Sequence, residues 1–92
     1  MAEQPAHAYV VDTEPPAWDA LMALPERTQD RVLSAIESLE REPRPSNSKA
    51  LKGQLRGLWR IRVGDYRVVY AIENHRLVVV VVKVGDRKDI YE

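Results

Sequence analysis

The chain has 92 residues and a mass of 10.5 kDa, which is one domain, residues 1–92, with a single core. Cysteine is absent, which excludes disulfides, thiolate nucleophiles and cysteine-based zinc sites, while 45 % apolar and 30 % charged residues fit a globular rather than a disordered chain. The formal charge of zero is split, −5 over residues 1–48 and +5 over residues 49–92, so the C-terminal half either meets a polyanion or belongs to a passive dipolar surface.

Met1 to Tyr9 has no basic region followed by a long apolar run, so no signal peptide and a cytoplasmic location are expected. His7 to Asp12 reads as a first strand on its Tyr-Val-Val run. Thr13 is placed as the cap of a first helix, with Pro15 and Pro16 in its first turn. Trp18, Leu21, Met22 and Leu24 share its apolar face, and Pro25 closes it. A second helix is expected from Glu26 to Arg41, with Val32, Leu33, Ile36 and Leu39 as its apolar stripe. The two helices form a hairpin whose apolar side needs a sheet to cover it.

Pro43 and Pro45 stop the second helix, and a mobile basic loop is expected from Ser46 to Gly57. From Leu58 the period becomes two. Trp59, Ile61 and Val63 share one face of a strand; Arg60 and Arg62 share the other. Gly64-Asp65 is a hairpin turn. The next strand, Tyr66 to Ile72, puts Tyr66, Val68, Tyr70 and Ile72 on one face and Arg67, Val69 and Ala71 on the other. The apolar run Leu77 to Val82 is far too short to cross a bilayer, which needs about 20 residues in a helix. The strand Leu77 to Val84 is apolar on both faces, so a central position, covered on both sides and next to the first strand, is expected. Gly85 ends it. The fold class is α+β, a β-α-α-β-β-β order with an antiparallel twisted sheet and an N-terminal helical hairpin on one face.

Much chemistry is excluded by the residues themselves. His7 and His75 have no neighbours in a metal-ligand pattern, and no Gly-rich phosphate loop precedes a helix. No metal and no cofactor are expected. What remains is a group of arginines: Arg60, Arg62 and Arg67 on adjacent strands, and Arg87 after the last strand, with Tyr91 four residues further. Like charges packed on one sheet face repel unless an anion sits among them, and guanidinium binds phosphate bidentately. Pairing with Asp65, Asp86, Asp89 and the acidic helices is the alternative. RNA carries its own nucleophile, the 2′-OH, and arginines can stabilise the phosphorane-like charge. They accept protons poorly, so proton transfer falls to Tyr91, whose unperturbed pKa is about 10 and which guanidinium neighbours would lower; Tyr91 can also stack on a base.

Three runs complete the reading: Lys49-Ala-Leu-Lys-Gly53, Trp59-Arg-Ile-Arg-Val-Gly-Asp-Tyr-Arg-Val-Val-Tyr70 and Val84-Gly-Asp-Arg-Lys-Asp-Ile-Tyr91. They resemble the RelE/ParE toxin superfamily, RelE more closely. The resemblance implies the toxin of a type II toxin–antitoxin system. It would be an mRNA interferase that enters the ribosomal A site, cuts the message there without a metal and so inhibits translation. It implies Arg67, Arg87 and Tyr91 as catalytic residues. Arg60, Arg62, Lys49, Lys52 and Arg56 would bind RNA. Its partners would be a cognate antitoxin, the ribosome and mRNA, with no membrane and no small-molecule cofactor. The second-strand positions are often lysine in the family and are arginine here, which throws more of the proton transfer onto Tyr91. Some relatives continue into a C-terminal helix; here regulation is expected by direct covering of the basic face. A ParE-like toxin that poisons DNA gyrase, and a catalytically degenerate antitoxin binder, are the competing readings.

Overall fold

The computed structural model describes residues 8–86. A five-stranded sheet carries two helices on one face. Its strands are β1 (Val10–Thr13), β2 (Ser48–Ala50), β3 (Leu58–Val63), β4 (Tyr66–Glu73) and β5 (Val78–Asp86), in the order β1-β5-β4-β3-β2. The helices are α1 (Pro15–Met22) and α2 (Glu26–Ser38).

The α+β class and the placing of the first strand beside the last are both observed. That pairing is parallel, Val10 opposite Val78 through Thr13 opposite Val81, so the sheet is mixed rather than wholly antiparallel. Two helices carry the chain from β1 to the far edge of the sheet, and β2, β3 and β4 bring it back to β5, a connection long enough for a parallel pair. Thr13 belongs to β1, and Glu14 takes the cap position of α1, with Pro at the first turn as expected. The second helix stops at Ser38, three residues early.

The expected loop 46–57 contains two elements. Ser48–Ala50 pairs antiparallel with β3, and Gly53–Leu55 is a 3₁₀ turn. Ser48 donates its hydroxyl to the Pro45 carbonyl at 2.6 Å, and the Asn47 amide donates to the Arg62 carbonyl at 3.2 Å; both fix the entry to β2.

The core lies between the helices and one sheet face. Ala17 and Leu21 of α1, Val32 and Ile36 of α2, and Leu39 meet Ile61, Val68, Tyr70, Val79, Val81 and Val84. On α1 only Ala17 and Leu21 are buried. Trp18 and Met22, expected on the same apolar face, are 45 % and 39 % exposed. Residues 18 and 22 lie four apart and so share one side of the helix, turned away from the stripe of 17 and 21. β5 is interior but not covered equally. Val79, Val81 and Val84 are buried under the helices, while Val78, Val80 and Val82 on the other face are half-buried.

The β3–β4 loop is the two residues Gly64-Asp65. Gly64 has φ +61 and Asp65 a negative φ, the signature of a type II′ turn with glycine at its first central position. The guanidinium of Arg31 on α2 lies over this turn, 3.5 Å from where a Cβ on Gly64 would sit. The β4–β5 turn is less well matched. Leu77 has φ 56 and is 47 % exposed, so a branched side chain occupies a left-handed position without burial to offset it. Leu77→Gly is expected to stabilise the fold by about 1 kcal/mol, several degrees in Tm for a domain of this size. A thermal melt followed by circular dichroism checks this; a lower Tm would show that Leu77 contributes packing in the turn.

A basic sheet face as candidate nucleic-acid interface

The register of the antiparallel pairs assigns every side chain of β3 and β4 to a face. Trp59, Ile61 and Val63 lie opposite Tyr70, Val68 and Tyr66, on the side of the helices. Leu58, Arg60 and Arg62 lie opposite Ala71, Val69 and Arg67, on the open side. The two expected arginine groups therefore meet, and Arg62 and Arg67 face each other directly. Opposed residues on adjacent strands hold their Cβ atoms about 5 Å apart, where like charges destabilise. On β2, Lys49 lies opposite Arg60 and adds a fourth cation to the same face.

Burial distinguishes these side chains. Arg62 is exposed and Arg67 half-buried, whereas Arg60 retains only 6 % of its surface. Leu51 and Leu55, from the segment expected as loop, form a small apolar cluster with Val69, Leu58 and Val82 on the open face beside Arg60. Guanidinium tolerates such surroundings better than an ammonium, because its charge is delocalised and weakly hydrated.

Three recesses follow the cations. One of about 70 Å³ is lined by Arg62, Gly64, Asp65 and Arg67. A wider one of about 380 Å³ runs along β2 and is lined by Ser46, Asn47, Ser48, Lys49, Arg60 and Arg62. A third, of about 170 Å³, lies against Lys49, Ala50, Leu51 and Lys52. Arg62 lines the first two and Lys49 the last two, so each recess shares a cation with the next. Arg56, at the end of the 3₁₀ turn, is exposed and lines none of the three. Among the described residues that line them, Asp65 is the one carboxylate. Arg87 and Tyr91 lie outside the described residues.

One cation on this face was not anticipated from the sequence. Lys83 sits in the valine run of β5, lies opposite Val69 and is exposed on the open side. Its face depends on a register shift that the sequence does not announce.

The opposite face of the sheet is built for structure. The buried Tyr70 hydroxyl donates to the Pro43 carbonyl at 2.7 Å. Burial pushes its pKa up to about 12, against smaller opposing effects of the Ser48 hydroxyl and the Arg44 charge. The Arg44 guanidinium stacks 5.1 Å from the centre of the Trp59 ring and donates to the Asn74 side-chain oxygen, which also accepts from the Tyr9 hydroxyl. Among the described residues no group of three or more His, Asp or Glu side chains could hold a metal ion, and no helix is long and apolar enough to cross a membrane.

Residues 13–91 match the family described as ParE toxin of type II toxin–antitoxin system, parDE. Toxin RelG of Mycobacterium tuberculosis is 38 % identical over 72 residues, which is 77 % of this chain and 82 % of that protein. The fold superposes on the RelBE2 toxin–antitoxin complex of Mycobacterium tuberculosis with a TM-score of 0.79 and 30 % identity, covering 92 % of this chain and 98 % of the other. It also superposes on the archaeal RelE–RelB complex of Pyrococcus horikoshii with a TM-score of 0.77 and 31 % identity, covering 90 % and 99 %.

Proposed function

This chain belongs to the ParE toxin family of type II toxin–antitoxin systems, within the RelE/ParE superfamily, and from that premise we propose that it is an endoribonuclease that cuts mRNA in the ribosomal A site. The observation that carries the reading is the face-to-face placement of Arg62 and Arg67, flanked by Arg60 and Lys49, on the sheet face opposite α1 and α2. A polyanion is attracted to such a pair, and successive recesses that share Arg62 and Lys49 suit a single strand better than an isolated phosphate.

In this reading Lys49, Lys52, Arg56 and Arg62 bind the RNA backbone, and the buried Arg60 acts on it through the recess along β2 that it lines. Arg67 and Arg87 stabilise charge on the scissile phosphate. The 2′-oxygen bonds to phosphorus while Tyr91, as its phenolate, takes the 2′ proton. The bond from phosphorus to the 5′-oxygen breaks, and that oxygen takes a proton from water. The products are a 2′,3′-cyclic phosphate and a 5′-hydroxyl. Similar toxins solved in toxin–antitoxin complexes support a cognate antitoxin as the partner, and in this reading it covers the basic face.

Arg67→Gln, Arg87→Ala and Tyr91→Phe are each expected to lower cleavage about 100- to 1000-fold, the usual loss when one transition-state donor is removed. Each should restore colony formation in cells that express the chain, with the fold intact by circular dichroism. A folded Arg87→Ala/Tyr91→Phe double variant that still arrests growth would overturn the nuclease reading. It would turn attention to DNA gyrase, the target of the ParE-like alternative.

A further inference from the structure

We propose that Lys83 is a phosphate-binding residue of the open face, carried there by the β-bulge in β5; this rests on reading that face as an RNA surface. The pairing of β4 with β5 places Tyr70 opposite Val81 but Val69 opposite Lys83, so Val82 is an extra residue. Without it, the register set by Tyr70 and Val81 would put Val82 opposite Val69 and Lys83 opposite Val68. Val68 is wholly buried beneath the helices, where an ammonium group would be strongly destabilising. The bulge resolves this in one step. Val82 joins the small apolar cluster beside Val69, Val84 takes the core place opposite Val68, and Lys83 emerges on the open face. Bulges re-aim side chains in this way and occur often beside functional sites.

The position reached adds a cation to the open face in register with the others. A row across four strands now reads Lys49, Arg60, Val69, Lys83, and the next row reads Arg62, Arg67, Gly85. Lys83 is the diagonal neighbour of Arg67, about 7–8 Å away and within reach of long side chains. Gly85, opposite Arg67, presents no side chain to crowd the space between them. A fifth cation on a face that already opposes Arg62 to Arg67 adds repulsion in the free protein. A phosphate of a bound strand converts that repulsion into attraction.

The test is the salt dependence of binding to a short fluorescein-labelled single-stranded oligouridylate, measured by anisotropy for the full chain and four variants. Lys83→Gln is expected to flatten the slope of log K against log salt by about 0.7, the value of one single-strand phosphate contact. Lys83→Arg should keep the slope. Arg62→Gln should flatten it too, and Arg27→Gln, exposed on α2 in the helical layer, should leave it unchanged. A slope altered by Arg62→Gln but not by Lys83→Gln would overturn the assignment of Lys83 and leave the RNA face standing. Slopes unaltered by either would overturn both. Lys83 is exposed, so its glutamine variant should fold as the parent does, and circular dichroism verifies that.

Discussion

Arg62→Gln is expected to weaken RNA binding about ten- to a hundredfold while making the free protein more stable. The two effects come from one juxtaposition. Arg62 lies directly opposite Arg67 on the open sheet face, and Lys49 and Arg60 form the adjacent pair. In the free protein, removing one of two opposed like charges gains a few tenths of a kcal/mol. In the complex, the same change removes a charge-assisted hydrogen bond to phosphate, which contributes about 1.5–3 kcal/mol. Chemical denaturation and RNA titration of the same sample read both quantities. Opposite signs identify a surface kept for an anion rather than for the fold. A loss of stability would instead show that Arg62 is held by an internal partner such as Asp65, its neighbour in the smallest recess.

Tyr70→Ala is expected to destabilise the fold by about 3–5 kcal/mol, as for other large aromatic deletions from a core. A domain of this size has roughly 5–14 kcal/mol in all, so the variant should be at or near unfolding at physiological temperature. Tyr70 has no exposed surface, packs among Val81, Ile61 and the helices, and holds the Pro43 carbonyl with its hydroxyl. Tyr70→Phe keeps the ring and isolates the hydrogen bond, for a loss of about 1–2 kcal/mol. The pH dependence separates the two contributions. The folded state holds the phenol proton to about pH 12, against about 10 for an unfolded tyrosine. The contribution of this group is thus complete below pH 10 and is lost as pH rises from 10 through 12. The stability difference between the parent and Tyr70→Phe should shrink across that window in urea melts. A difference constant with pH would mean that the hydroxyl reaches solvent.

The strict alternation of Leu58–Val63 and the run Tyr66–Ile72 made both faces of β3 and β4 legible, because one face must be apolar and a hairpin turn fixes their register. The adjacency of β1 and β5 was legible for a related reason: a strand of nearly continuous valine needs neighbours on both edges. β2 was not legible. Ser48-Lys-Ala is short, polar and at the sheet edge, and it forms because Asn47 and Ser48 anchor its start and β3 offers a free edge. The burial of Arg60 is hidden for the same reason, since the chain that packs beside it, with Leu51 and Leu55, has the composition of a loop. The face of Lys83 was hidden by the bulge. Period-two reasoning carries parity along a strand, and one extra residue in a run of valines reverses that parity without changing the pattern. Trp18 and Met22 show a third limit: an eight-residue helix rich in apolar side chains does not declare which of them faces inward.

Cleavage of a message on the ribosome is read out by a cell-free translation reaction with the added chain, followed by primer extension on a defined message. Breaks are expected at codons occupying the A site, present with ribosomes and absent when they are withheld. An intact message, together with loss of DNA supercoiling by gyrase in the presence of the chain, would overturn the assignment of the basic face to RNA cleavage.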